Sequence, residues 1–192
     1  LDQVLDIFSL HPEYDLNIMR DRQTLEGITT RALVGLGEVM EKEQPDLVLV
    51  HGDTTTTFAA SLAAFYHKIP VGHVEAGLRT YNKYEPFPEE MNRRLTGAIS
   101  TLHFAPTPLA REHLLKENVD RDNIYVTGNT VIDVLQTTIE PDYHFTVPVL
   151  NQIDFSAHRV IAMTAHRREN LGQPLEEICR AVLQIVEEFP DV

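Results

Sequence analysis

Short apolar runs alternate with amphipathic helical segments along most of this chain, and few folds accommodate that rhythm. Leu-Val-Leu-Val at 47–50, set off by Pro45-Asp46, reads as a strand buried on both faces. Ile69–Val74, Leu102–Ala105, Ile124–Thr127 and Arg159–Thr164 read as further strands. Helical spacing fills the gaps. Leu25, Ile28, Ala32, Leu33, Leu36, Val39 and Met40 place a helix over Thr24–Glu43. Others are expected over Thr54–His67, over Pro88–Ser100, from Thr107-Pro108 (an N-cap followed by proline at the first helical position) to Asn118, and from Thr130 to Thr138. Pro174–Phe189 carries Leu175, Ile178, Val182, Ile185, Val186 and Phe189 on one face. Repeated strand–helix alternation means parallel βαβ units, so the expected fold is α/β with a doubly wound, Rossmann-like parallel sheet. Leu1–Ser9 is a helical segment closed by Pro12, and Tyr14–Met19 is a short strand or loop.

The rhythm breaks at 140–158, where Pro141 and Pro148 interrupt any sustained period. The expected organisation is a first domain over 1–140, a connection over 141–158, and the beginning of a second domain over 159–192. Helical spacing starts at Leu1 with no initiator Met or cap ahead of it, and Phe189-Pro190 stops where a connection would enter its next strand. The chain therefore reads as an internal piece of a longer protein. Its 192 residues, 43% of them apolar, can form a sizeable core, and a single cysteine, Cys179, rules out an internal disulfide framework. A formal net charge of −13 argues against nucleic acid or an anionic membrane surface as partner. No run approaches the roughly 20 apolar residues of a membrane span, and a cytoplasmic location is expected.

The strands lead into chemistry-bearing residues. His51-Gly52-Asp53 follows the first strand, His73-Val74-Glu75 ends the second, and Glu89-Glu90 follows a loop over Gly77–Phe87. An open α/β sheet collects its ligands where strands end. Asp53 is open to two readings, helix cap or catalytic carboxylate, and His51 reads as a hydrogen-bonded structural histidine. Glu75 alone could be solvated or paired with Arg79. Two acids on neighbouring strand ends are less easily dismissed, because like charges brought together raise a carboxyl pKa toward the range of a general acid or base. Glu89-Glu90 reads locally as an acidic first turn favoured by the helix dipole. His166-Arg167-Arg168 follows the fifth strand and suits a phosphate or carboxylate, the alternative being a solvated charged loop. Arg79, Arg93 and Arg94 are further local cations. A metal site built from His51, Asp53, His73, Glu75 and His166 lacks the i, i+4 histidine pairing of a zinc helix and has no Cys ligand.

The motifs HGDTTTTFAASLAAFYHKIPVGHVEAGLRT, PFPEEMNRRLTGAIS, VTGNTVID and MTAHRREN, in this order, resemble those of the non-hydrolysing bacterial UDP-N-acetylglucosamine 2-epimerases over nearly the whole chain. The resemblance implies a GT-B fold of two Rossmann-like domains and interconversion of UDP-GlcNAc and UDP-ManNAc for cell-envelope polysaccharides. The family reaction removes the C2 proton, expels UDP to give a 2-acetamidoglucal, and adds UDP back, without metal or redox cofactor. Position by position, the resemblance implies catalytic roles for Asp53, Glu75, Glu89 and His166, and substrate contacts from Asp53, Glu75, His166 and Arg167. It also implies an activating second UDP-GlcNAc site at Arg22, Glu89 and Arg167, and a homodimer. The family's opening GTRPEAIK-type loop does not precede Leu1, and most of its second domain does not follow Val192, so this segment alone is expected to be inactive. The rival readings are a hydrolysing epimerase, a GT-B glycosyltransferase and a catalytically silent binding domain.

Overall fold

The computed structural model describes residues 2–165 and 172–192. The chain divides into two compact units, Leu1–Thr137 and Thr138–Val192. The first begins with helices α1 (Asp2–Ile7) and α2 (Leu25–Glu43). It continues as β1 (Val48–His51), α3 (Thr55–Tyr66), β2 (Val71–Val74), α4 (Glu89–Ile99), β3 (Leu102–Ala105), α5 (Pro108–Lys116), β4 (Ile124–Val126) and α6 (Thr130–Thr138).

Local chemistry sets these limits. The hydroxyls of Thr24, Thr54 and Thr107 accept from the backbone N–H three residues on, at 3.1 Å in each case, opening α2, α3 and α5. Gln44 closes α2 in the left-handed region at φ 48°. Residues 14–19 form a loop. Pro88 caps α4 from just outside instead of occupying its first turn.

All four strands are parallel, in the order β1-β2-β3-β4. α3 packs against both α2 and α4, as right-handed crossovers between consecutive neighbours require. The register aligns Val50, His73, His103 and Ile124 in a single buried row. One residue further along, His51, Val74, Phe104 and Tyr125 form the row that points to the other face. Met40, Val50, Ala63, Ala64 and Val71 make one core cluster between α2, α3 and the sheet. Ala76, Ala105, Ala110, Leu114 and Ile124 make a second under α5. Gly77 lets the chain leave β2 tight against α5: at φ 87°, a Cβ there would lie 2.2 Å from the carbonyl oxygen of Ala110.

The second unit contains a short 3₁₀ turn (Pro148–Gln152) and α7 (Gln173–Glu188). Tyr143, Phe145 and Phe155 form a chain of ring contacts, and Asn151 holds the backbone of Phe145 by two hydrogen bonds. The strand expected at Arg159–Thr164 is not formed. A strand exists only where its amides find a neighbour, and no other strand occurs among the described residues of this unit. Arg159 instead donates its backbone N–H and its guanidinium to Asp191 and lies over the ring of Phe189. Among the described residues no helix is long and apolar enough to cross a membrane.

Candidate active site

Asp53 and Glu75 lie just beyond the carboxyl ends of adjacent parallel strands, two residues past β1 and one past β2. The N–H of Gly52 donates to the carbonyl of Val74 at 3.0 Å, so pairing continues up to the two acids. A side chain at Gly52 would stand 3.6 Å from Oε2 of Glu75, so the bare glycine keeps the space beside that carboxylate open.

Asp53 does not cap α3. Thr54 does so, and Thr57 adds a bond from its hydroxyl to the carbonyl of His51 at 2.7 Å. The carboxylate is thereby released toward α4, where its Oδ2 lies 3.2 Å from Nε of Arg93. That contact is a close ion pair whose angle falls short of a hydrogen bond, leaving the buried Nε without an aligned acceptor. The amide of Asn92 donates to the backbone carbonyl of Asp53 at 2.9 Å. Asn92 and Arg93 therefore grip the residue from both its backbone and its side chain.

Glu75 adopts φ 65°, a left-handed conformation that costs a residue with a Cβ about 1 kcal/mol or more. Arg79, its anticipated ion-pair partner, is committed elsewhere. Its fully buried guanidinium makes a two-pronged bond to Glu117 at 2.8 Å on each arm and donates to the carbonyl of Leu78. Arg79 and burial act on Glu117 in opposite directions, and the bond to Arg79 wins, holding its carboxyl below the usual range. Glu75 faces His51 instead, 3.6 Å from Nε2, and the amide of Asn129 reaches its Oε1 at 3.5 Å.

The hydrogen-bonded structural histidine is His73, where the sequence suggests His51. His51 is exposed beside Glu75, whereas His73 is fully buried and bonds the carbonyl of Gly52 through Nε2 at 2.7 Å. Burial pushes the His73 pKa down to about 4, so the ring is neutral at pH 7 and its Nε2 serves as the donor. His73 thus pins the turn that presents Asp53.

Glu89 opens α4, and its Oε2 is buried without a hydrogen-bond partner. Residues three and four apart share a helix face, so Glu89 lies on the face of Asn92 and Arg93, the two side chains that hold Asp53. The three carboxylates thus belong to one corner of the sheet. Arg22 is exposed in the turn before α2 and, among the described residues, forms no ion pair with any of the three. His166 and Arg167 lie outside the described residues. No group of three or more potential metal ligands occurs among the described residues.

Comparison with known proteins shows which family the chain belongs to. The family model described as UDP-N-acetylglucosamine 2-epimerase matches residues 1–192. The chain belongs to the UDP-N-acetylglucosamine 2-epimerase family. It is 62% identical to the UDP-N-acetylglucosamine 2-epimerase of Bacillus subtilis over all 192 residues, which cover 50% of that protein. The crystal structure of UDP-GlcNAc 2-epimerase from Neisseria meningitidis bound to UDP-GlcNAc is 50% identical, with TM-score 0.89, over 99% of this chain and 52% of that one. The enzyme from Methanocaldococcus jannaschii in complex with UDP-GlcNAc and UDP is 33% identical, with TM-score 0.79, over 98% of this chain and 51% of that one. The parallel α/β sheet is that of GT-B-type epimerases. The chain spans about half the length of the relatives it matches.

Two features of this corner were not read from the sequence. Asn129 sits in the turn after β4, where VTGNTVID was noticed as a motif but its amide had no assigned role. Glu90 was treated as half of an acidic pair, yet it is wholly buried. For Glu90 the available signal was the i, i+3 spacing to Arg93 on the same helix face.

Proposed function

We propose that the full-length protein interconverts UDP-GlcNAc and UDP-ManNAc. The observation that carries this reading is the pair of strand-end carboxylates: Asp53, relieved of capping by Thr54 and held by Arg93, and Glu75, left out of the Arg79–Glu117 clamp. Glu89 joins them on α4 with an unpaired, buried oxygen. Inversion at C2 requires proton removal on one face of the sugar and delivery on the other. A single carboxylate fixed on one side cannot do both, whereas a cluster of several can.

A carboxylate takes the C2 proton as the C1–O bond breaks and UDP departs with the electron pair, leaving a 2-acetamidoglucal. UDP then adds back to C1 while a proton is delivered to the opposite face of C2. The leaving diphosphate develops negative charge, where preorganised cations help most; His166 and Arg167 are proposed for that role. UDP-GlcNAc is also proposed as an activator at a second site using Arg22, Glu89 and Arg167, and the assembly as a homodimer. The proposed first domain runs to 140, with its partner domain beginning at 159. The relatives' greater length supports assigning turnover to the full-length protein, with none from this segment alone.

Incubating the full-length protein with UDP-GlcNAc in D₂O tests the reading. Expected is UDP-ManNAc with deuterium at C2 of both sugars. Free ManNAc as the product would point to hydrolysis, and UDP-GlcNAc recovered without deuterium would overturn the proposal.

A further inference from the structure

Among the described residues of the first unit, Glu90 is the most deeply buried acid, with no exposed surface, and nothing in the proposed chemistry uses it. Burying a carboxylate is costly unless it is paired and hydrogen-bonded, so its partners define its job. Oε2 accepts from the backbone N–H of Thr80 at 3.0 Å and Oε1 from that of Tyr81 at 3.2 Å. Both amides belong to the connection between β2 and α4, the loop that delivers Glu89 to the site. Oε2 also lies 3.8 Å from Nη1 of Arg93. The same guanidinium, only 9% exposed, holds Asp53 through its Nε at 3.2 Å.

We infer that Glu90 is a positioning residue for the reaction proposed above. It ties the loop amides of Thr80 and Tyr81 to Arg93, and through Arg93 it fixes the carboxylate of Asp53. The geometry argues for this over simple loop anchoring. A guanidinium placed between two carboxylates is oriented by both, and the Nε–Asp53 contact is close but not aligned as a hydrogen bond. Asp53 alone therefore does not hold Arg93 in place. Removing the negative charge at position 90 frees the guanidinium to swing toward Asp53 and shifts the carboxylate relative to the sugar. Misplacement of a reacting group by about 1 Å costs about 10²-fold in rate. Glu90 does not touch substrate in this scheme, so ground-state binding is left alone.

The inference rests on the epimerase reading, and the test separates the two. Full-length wild type and Glu90→Gln are assayed for epimerisation of UDP-GlcNAc, with kcat normalised to folded protein. Glutamine keeps the size of the side chain and one acceptor but loses the charge. Expected is a fall in kcat of about 10²-fold with KM unchanged. An unchanged kcat, or an effect confined to KM, overturns the positioning role. Hydrogen exchange at the Thr80 and Tyr81 amides of the wild-type protein tests the clamp with no substitution, which covers a variant that fails to fold. Slow exchange supports the clamp, and exchange as fast as in exposed loops overturns it. Wild type that folds but does not epimerise UDP-GlcNAc would sink the epimerase reading, while the exchange result still reports on the clamp.

Discussion

Acidification should loosen the turn that carries Asp53, through His73. In the folded protein the ring is fully buried, and its pKa is lowered from 6.5 to about 4, first by burial and then by the nearby charges of His103, Arg79 and His51, against the bond to Gly52. The folded state thus binds this proton less readily than the unfolded chain. Between the two pKa values the unfolded chain holds more protons, so stability rises with pH there and falls as pH drops from 6.5 toward 4. The shift corresponds to about 3 kcal/mol, reached progressively at a slope of at most about 1.4 kcal/mol per pH unit. His103, buried and shifted the same way, adds to the effect. The comparison that isolates His73 is His73→Gln in the full-length protein, since glutamine can still donate to the Gly52 carbonyl but does not titrate. Urea unfolding followed by circular dichroism from pH 7.5 to 4 should show wild type losing about 3 kcal/mol more than the variant. Parallel pH dependences in the two proteins would refute the reasoning, as would an NMR titration of the His73 ring with its midpoint near 6.5.

Asp53→Asn and Glu75→Gln in the full-length protein should each lower kcat by about 10²–10⁴-fold with an unchanged circular dichroism spectrum; wild-type rates would remove their proposed roles. Thr54→Ala removes the cap of α3 and should cost about 1 kcal/mol in chemical denaturation, with Asp53 unable to substitute while Arg93 and Asn92 hold it. Gly77→Ala forces a Cβ against the carbonyl of Ala110 at a positive φ and should cost more than about 1 kcal/mol, read as a drop in melting temperature.

The periodic part of the molecule was legible because each signal is local. The apolar stripe of α2, the Thr107-Pro108 start of α5 and the run that becomes β1 all depend on neighbours within a turn or a strand. Failures occurred where a distant partner decides. Nothing near Arg79 in sequence says that it will clamp Glu117, 38 residues away, and leave Glu75 to His51. That the structural histidine is His73 and not His51 is a matter of register. Each follows an apolar run, but Val50 pairs with His73, so His73 falls in the buried row and His51 in the next. The predicted strand at 159–164 had the composition of a strand, but among the described residues nothing in its unit offers a ladder.

A common logic connects the three acids, and it bears on how such sites can be recognised. In two of them an adjacent residue takes over the structural task that would otherwise tie down the carboxylate. Thr54 caps α3 in place of Asp53, and Glu90 binds the loop amides in place of Glu89. At the third, the backbone of Glu75 accepts a left-handed φ that Asn or Gly would adopt more easily, a penalty that stability alone does not explain. The capping explanation for Asp53 was therefore sound chemistry applied one residue off. A strand-end or helix-start acid with a competent capping or anchoring neighbour is best read as released, because the neighbour satisfies the backbone and leaves the carboxylate available.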